Sequence, residues 1–220
     1  MLCDDGHEYV VKGRNAGRST FNDQVVGRLG AAMGAPVAEV ALVDVPLDLI
    51  LDNFDMKDIT DGIGHGSRWI PGTSKAERLL YQGWPENRPR FALLAVLYGW
   101  AQVEEDHQFI YETEPPHLVH SVDHGDFFPR GPGWSVASLR RAGLPAPDPV
   151  ITFGAALGPL ELAAATVNLH RVSDGTIAAA IVVPPDLWGV TFEERVAMAM
   201  YLAVRRDTFL TSLTRQPAQE

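Results

Sequence analysis

Glu104 to Phe128, EEDHQFIYETEPPHLVHSVDHGDFF, constrains this chain more than any other stretch. It reads as two short strands, Gln108 to Tyr111 and His117 to Val122, joined by a turn from Glu112 to Pro116 that contains two prolines. Asp106 stands before the first strand and Asp123 after the second, so antiparallel pairing carries both carboxylates to the same end. Carboxylates converging on an exposed loop end hold a cation, divide the roles of base and metal ligand, or merely repel each other. Gly125, in Asp123-His124-Gly125, lets the backbone turn sharply after the second carboxylate. Phe91 to Val103 (FALLAVLYGWAQV) is apolar on nearly all sides, which marks a buried helix, and it delivers the chain directly into Glu104.

The first part of the chain offers a cation to face that end. His7 to Lys12 is a strand by its β-branched and aromatic content, with Tyr9 and Val11 on one face and Val10 and Lys12 on the other. A lysine closing an apolar strand is ordinarily a solvated end; the sharper reading is a charge planted under a phosphate. After a polar loop, Gly13 to Ser19, a helix is predicted over Asn22 to Met33, because Val25, Val26, Leu29 and Met33 keep helical spacing and Gly34 stands where a helix terminates. Asp23 in its first turn is either a partner of the helix dipole or an ion-pair partner for Lys12.

Pro36 introduces a second strand, Val37 to Val45, and the chain is expected to leave a small N-terminal unit at Asp44-Val45-Pro46. The glycine- and aspartate-rich segment Asp52 to Gly72 reads as a loop over a cleft edge. Ser74 with Glu77 reads as a capping box for a short helix to Tyr81. After loops at Pro129 to Trp134 and Pro145 to Pro149 the remainder is helical in character: Leu160 to Leu169, then Ser173 to Val183 with Ser173 as cap. A long helix opened by the Thr191–Glu194 capping box follows, with Val196, Met200, Ala203, Val204 and Leu210 near one face.

A net charge of -10 argues against nucleic acid or anionic membrane as main partner, since both need clustered Lys and Arg. Nucleotides are compatible with it, because they need one or two placed cations plus a metal. The single cysteine, Cys3, excludes an intramolecular disulfide and fits a reducing compartment. No signal peptide opens the chain and no apolar run reaches membrane-spanning length, so a cytoplasmic location is expected.

Tyr9-Val-Val-Lys12, Asn22-Asp23-Gln-Val-Val-Gly-Arg-Leu29, Gly34-Ala-Pro36-Val and Ser121-Val-Asp-His-Gly125, in this order, resemble the HipA-like kinases, distant relatives of the protein and phosphoinositide kinases. The resemblance implies a two-lobed α+β protein-kinase-like fold, with a reduced N-terminal sheet over residues 1–46 and a mainly helical C-terminal lobe over 47–220. It implies ATP and Mg²⁺ as cofactors and phosphoryl transfer as the reaction, with the acceptor, protein or small molecule, left open. Lys12 would contact the α- and β-phosphates, and Asp23 would stand where kinases place the glutamate that pairs with that lysine. Asp44 and Val45 would offer backbone groups to the adenine. Asp106 would be the catalytic base or substrate-orienting group, and Asp123 the metal-binding aspartate of the Asp-x-Gly motif.

The chain departs from the kinase pattern in two places. Kinase catalytic loops carry a metal-binding Asn five residues after the aspartate. Here position 111 is Tyr, and the resemblance would make Gln108, at the start of the strand, the substitute ligand. Kinases also set two strands and a glycine-rich loop before the lysine strand, whereas eleven residues precede Lys12, so either the natural start lies upstream or the nucleotide is covered poorly or differently. A second function class therefore stands beside the first: a catalytically inactive pseudokinase that uses the same cleft to bind a nucleotide or a protein. A third, a metal-dependent hydrolase, would draw on His117, His120 and His124 around Asp123. Strand alternation counts against it, because Asp123 points away from the face that His120 and His124 share. Trp69, Trp84, Trp100, Trp134 and Trp188 are scattered and read as core or loop anchors, not as a stacking platform for bases.

Overall fold

The computed structural model describes residues 1–52, 56, 59–76, 78–104 and 107–214. The first sheet holds β1 (Tyr9–Lys12), β2 (Val40–Val45) and β3 (Gly62–Arg68) in the order β1-β3-β2, with β3 antiparallel to both neighbours. One face packs on α1 (Arg18–Ala32), whose Phe21, Val25, Val26 and Leu29 belong to the main core. On the other face Tyr9, Val43 and Val45 form a small separate core with Ile50 of α2 (Leu47–Asp52), Met56 and Ile59. The alternation expected of Tyr9 to Lys12 is thus the one found.

The centre of the segment expected as a loop is the middle strand of this sheet. β3 carries one β-branched residue, Ile63, and glycines at 64 and 66 where the sheet leaves no room for a side chain. A Cβ on Gly64 would lie 2.7 Å from the Lys12 carbonyl oxygen, and one on Gly66 would lie 2.6 Å from Val43 Cγ2. Residue 46, the expected exit from the small unit, falls between two paired strands of one sheet.

The second sheet contains β4 (Thr73–Ala76), β5 (Phe109–Glu112) and β6 (Val119–Ser121), ordered β4-β5-β6. The β5–β6 hairpin is the one expected from sequence. β4 replaces the short helix expected after Ser74, since Ser74 pairs with Tyr111 on the hairpin and that pairing overrides the local capping signal. Glu77, the other half of that signal, lies outside the described residues. α3 (Asn87–Ala101) fulfils the reading of a helix apolar all round: Phe91, Leu94, Val96, Leu97, Tyr98 and Trp100 are all buried. It begins earlier than expected because Asn87 is itself buried and fastens the helix start to the hairpin. Its Nδ2 donates to the His117 carbonyl at 2.9 Å, and its Oδ1 accepts from Val119 N–H at 2.9 Å.

The rest is helical: α4 (Val136–Arg141), α5 (Pro149–Gly154), α6 (Pro159–His170), α7 (Asp174–Val182) and α8 (Phe192–Thr214). Both expected caps form. Ser173 Oγ accepts from Thr176 N–H at 3.1 Å, and Thr191 and Glu194 exchange backbone-to-side-chain bonds at 3.0 and 3.3 Å. The α8 face that carries Val196, Met200 and Val204 is the outer one, at 42%, 64% and 62% exposed, while Met198, Tyr201, Leu202 and Phe209 are buried together with Arg195 and Arg205. The arginines decide this. Arg205 donates to the carbonyls of Gly99, Trp100 and Gly143, and Arg195 to that of Ile181, so each guanidinium satisfies groups that periodicity counts as needing water. Among the described residues no helix is long and apolar enough to cross a membrane.

Candidate active site

Lys12 ends β1 on the face turned toward α1. Its Nζ donates to Asp23 Oδ2 at 2.9 Å and to Asp123 Oδ1, so one ammonium joins the first sheet, α1 and the end of the hairpin. Asp23 is 1% exposed, whereas the Asp123 side chain is 39% exposed. The hairpin delivers Asp123 because its pairing runs one step past Phe109 and Ser121: Val122 N–H donates to the Gln108 carbonyl at 3.2 Å. β6 is stitched to the N-terminal part by Ser121 N–H to the Pro36 carbonyl (2.7 Å) and Ala38 N–H to the Ser121 carbonyl (3.2 Å). Asp123 itself sits at φ +58°, a left-handed conformation that costs a non-glycine residue energy and is concentrated at functional positions.

The loop after Asp123 is held by a residue that sequence reasoning placed in a motif but did not give a role. Asn22 Nδ2 donates to the carbonyls of Gly125 (2.7 Å) and Phe127 (3.1 Å), and its Oδ1 accepts from Trp134 Nε1–H at 2.9 Å, all buried. The available signal was two polar residues, Asn22-Asp23, adjacent in the first turns of a helix with an apolar face. Gly125 permits the close approach, since a Cβ there would lie 2.0 Å from Ser19 Oγ and 3.3 Å from Lys12 Nζ.

The charges are tightly coupled. Burial would push the Lys12 ammonium down, but Asp23 and Asp123 outweigh it and keep its pKa raised, so Lys12 is a fixed cation. Burial raises the Asp23 carboxyl more than Lys12 lowers it. Burial alone would raise Asp123 too, but the bond to Lys12 and the lysine's charge prevail, helped by His124 and Gln108, and its pKa is lowered. Asp23 Oδ1 is buried without a hydrogen-bond partner.

Two histidines behind this cluster are neutral. His65 sits on β3 opposite Lys12, and its Nδ1 accepts from Gln24 Nε2–H at 2.9 Å. Gln24 is oriented by Arg28 on its oxygen (3.1 Å) and by the Ala41 carbonyl on its nitrogen (2.6 Å), which leaves the His65 proton on Nε2, facing Ser67 Oγ at 3.0 Å. Burial, with the nearby Lys12, pushes His65 down to about 3, and burial pushes His124 down to about 4. The folded state therefore binds fewer protons than the unfolded one below pH 6.5. Stability is full above pH 6.5 and falls as the pH drops toward 4, by up to ~1.4 kcal/mol per pH unit for each histidine. The thermal midpoint should fall steeply over that window, and His65→Gln, which can still bond Gln24 and Ser67, should flatten the fall. An unchanged slope in the variant would remove His65 from the account.

The other expected site residues are placed as follows. Asp106 lies outside the described residues. Gln108 stands beside Asp123, its Oε1 accepting from Lys75 Nζ at 2.8 Å. Asp44 and Val45 are not brought to the cluster: they end β2, which β3 separates from Lys12, and the Val45 side chain is buried in the small core. The three hairpin histidines do not converge. His117 Nδ1 lies 3.0 Å from the Glu112 carbonyl, His120 Nε2 3.1 Å from the Glu112 carboxylate, and His124 Nε2 2.8 Å from Ser121 Oγ. Among the described residues no three His, Cys, Asp or Glu side chains form a metal-binding group. A hard divalent cation shared with phosphates needs less, one or two protein oxygens. Asp123 and Gln108 fit that requirement.

The HipA-like kinase family model matches residues 2–90. Among solved structures, the chain is similar to the Helicobacter pylori proinflammatory kinase CtkA, with a TM-score of 0.59 and 10% identity over 92% of this chain and 83% of that one. It is also similar to a chain of the Shewanella oneidensis MR-1 toxin–antitoxin complex of HipA, HipB and operator DNA, with a TM-score of 0.48 and 14% identity over 89% of this chain and 57% of that one. No curated protein matches the chain. The fold is of the kinase-like α+β type, and over residues 2–90 the chain matches the HipA-like kinases.

Proposed function

We propose that the chain is an ATP- and Mg²⁺-dependent phosphotransferase of HipA-like type, acting on an acceptor that is a protein or a small molecule. The observation that carries this reading is the Lys12 ammonium shared between buried Asp23 and open Asp123. Such a cation, fixed on one side and free to turn on the other, suits a polyphosphate that must be oriented without being bound too tightly. Lys12 exchanges Asp123 for phosphate oxygens while Asp23 holds it in place. Asp123 and Gln108 would hold the metal, which supplies neutralisation of phosphate charge. Asp106 takes the acceptor's proton as the acceptor oxygen bonds the terminal phosphorus and the bond to the ADP oxygen breaks. The nucleotide base is better placed against the chain that leaves β3, Trp69 to Gly72, than against Asp44 and Val45, because that is where the backbone passes between the two sheets. The negative net charge and single cysteine support a cytoplasmic protein without nucleic acid or membrane as partner.

One observation favours the second reading, a nucleotide- or protein-binding module without transfer. Tyr111, where kinases carry a metal-binding Asn, is 2% exposed and its hydroxyl accepts from Leu80 N–H at 3.0 Å, so it is committed to the core. Calorimetry of ATP binding with and without Mg²⁺, followed by a transfer assay with bulk protein acceptors, separates the readings. Metal-dependent binding with transfer supports the kinase, and binding alone supports the module. The absence of binding in both conditions would end both nucleotide readings.

A further inference from the structure

Lys75 lies on β4 opposite Ile110 of β5, on the same strand face as Gln108 two residues earlier. Its Nζ donates to Gln108 Oε1 at 2.8 Å, which leaves the Gln108 amide N–H to reach Asp123. Among the described residues no carboxylate pairs with Lys75, so its charge rests on a neutral amide at the open side of the site. Lys12 by contrast is outnumbered by Asp23 and Asp123. Before a metal binds, these three groups carry a net negative charge, which disfavours a polyphosphate. Lys75 makes up the difference.

The two lysines also sit on the two side chains assigned to a metal. Lys12 covers Asp123 Oδ1 and Lys75 covers Gln108 Oε1. A metal bound through these side chains repels both ammonium groups, and the anionic oxygens that enter with it are those of the phosphates. Lys12 approaches from the first sheet, held there by Asp23, whereas Lys75 approaches from the second sheet on the far side of Gln108. A polyphosphate with its inner groups on Lys12 and its chain over Asp123 extends its outer end toward Lys75.

We propose that Lys75 is a second phosphate-binding residue, specific for the terminal phosphate of a nucleoside triphosphate, and that it moves there from Gln108 when metal and nucleotide bind. The inference rests on the phosphotransferase reading. Its test is calorimetry of MgATP and MgADP binding to wild type, Lys75→Met and Lys75→Arg. ATP affinity should fall about tenfold in Lys75→Met, the size of one charge-assisted hydrogen bond, while ADP affinity changes less than about twofold. Lys75→Arg should recover most of the ATP affinity. A purely structural role would lower both nucleotides together, so equal losses, or no loss, would overturn the proposal while leaving the function standing. If wild type binds neither nucleotide, the underlying reading fails and the proposal fails with it.

Discussion

Asp123→Asn is expected to reduce phosphoryl transfer at least about a hundredfold, in line with the loss of one preorganised electrostatic group at a reacting phosphate, and to abolish the metal dependence of ATP binding. The substitution isolates charge. It conserves side-chain volume, and asparagine tolerates the left-handed φ of +58° at this position at least as well as aspartate. Lys12 keeps Asp23 at 2.9 Å, so the buried ion pair survives. The side chain lost from the ion-pair network is 39% exposed and solvent-screened, so the thermal midpoint should move little. Transfer assays, calorimetry and a melting curve on one preparation check all three statements. Full turnover in the variant would remove Asp123 from the chemistry and with it the role given to the hairpin end.

Asn22→Leu should be the most destabilising single change near the site, at about 3–5 kcal/mol, because it orphans three buried groups at ~1–3 kcal/mol each with some relaxation. Those groups are the carbonyls of Gly125 and Phe127 and the Trp134 indole N–H. The leucine fills nearly the same volume, so the loss reports hydrogen bonding and not a cavity. A cost of that size is a large share of the stability of a domain, and denaturant unfolding would register it directly. Because the same amide holds the loop that follows Asp123, transfer measured below the unfolding range should fall as well. A loss under about 1 kcal/mol would show that the loop carbonyls find other partners.

The elements legible in the sequence were those whose signal is local. The hairpin, the all-round apolar α3 and the Ser173 and Thr191 caps depend on residues within a few positions of one another, and each formed, α3 starting earlier than its apolar run because Asn87 is tied to the hairpin. β3 was not legible, because its glycines are dictated by Lys12 and Val43 on neighbouring strands. The buried face of α8 was not legible either: periodicity treats arginine as solvent-facing, whereas Arg195 and Arg205 find carbonyls brought from α7 and α3.

The same division runs through the site. The sequence by itself determined which charges were available, that Lys12 lies on the opposite strand face from Tyr9, and that Asp123 follows a strand at a turn. Only the tertiary structure decided that Lys12 touches Asp23 and Asp123 together, that Gln108 is held by Lys75, that Asn22 fastens the loop, and that Asp44 and Val45 stand apart. The reason is physical: strand faces and caps follow from spacing along the chain. An ion pair across 111 residues exists only where two sheets and a helix are packed against one core.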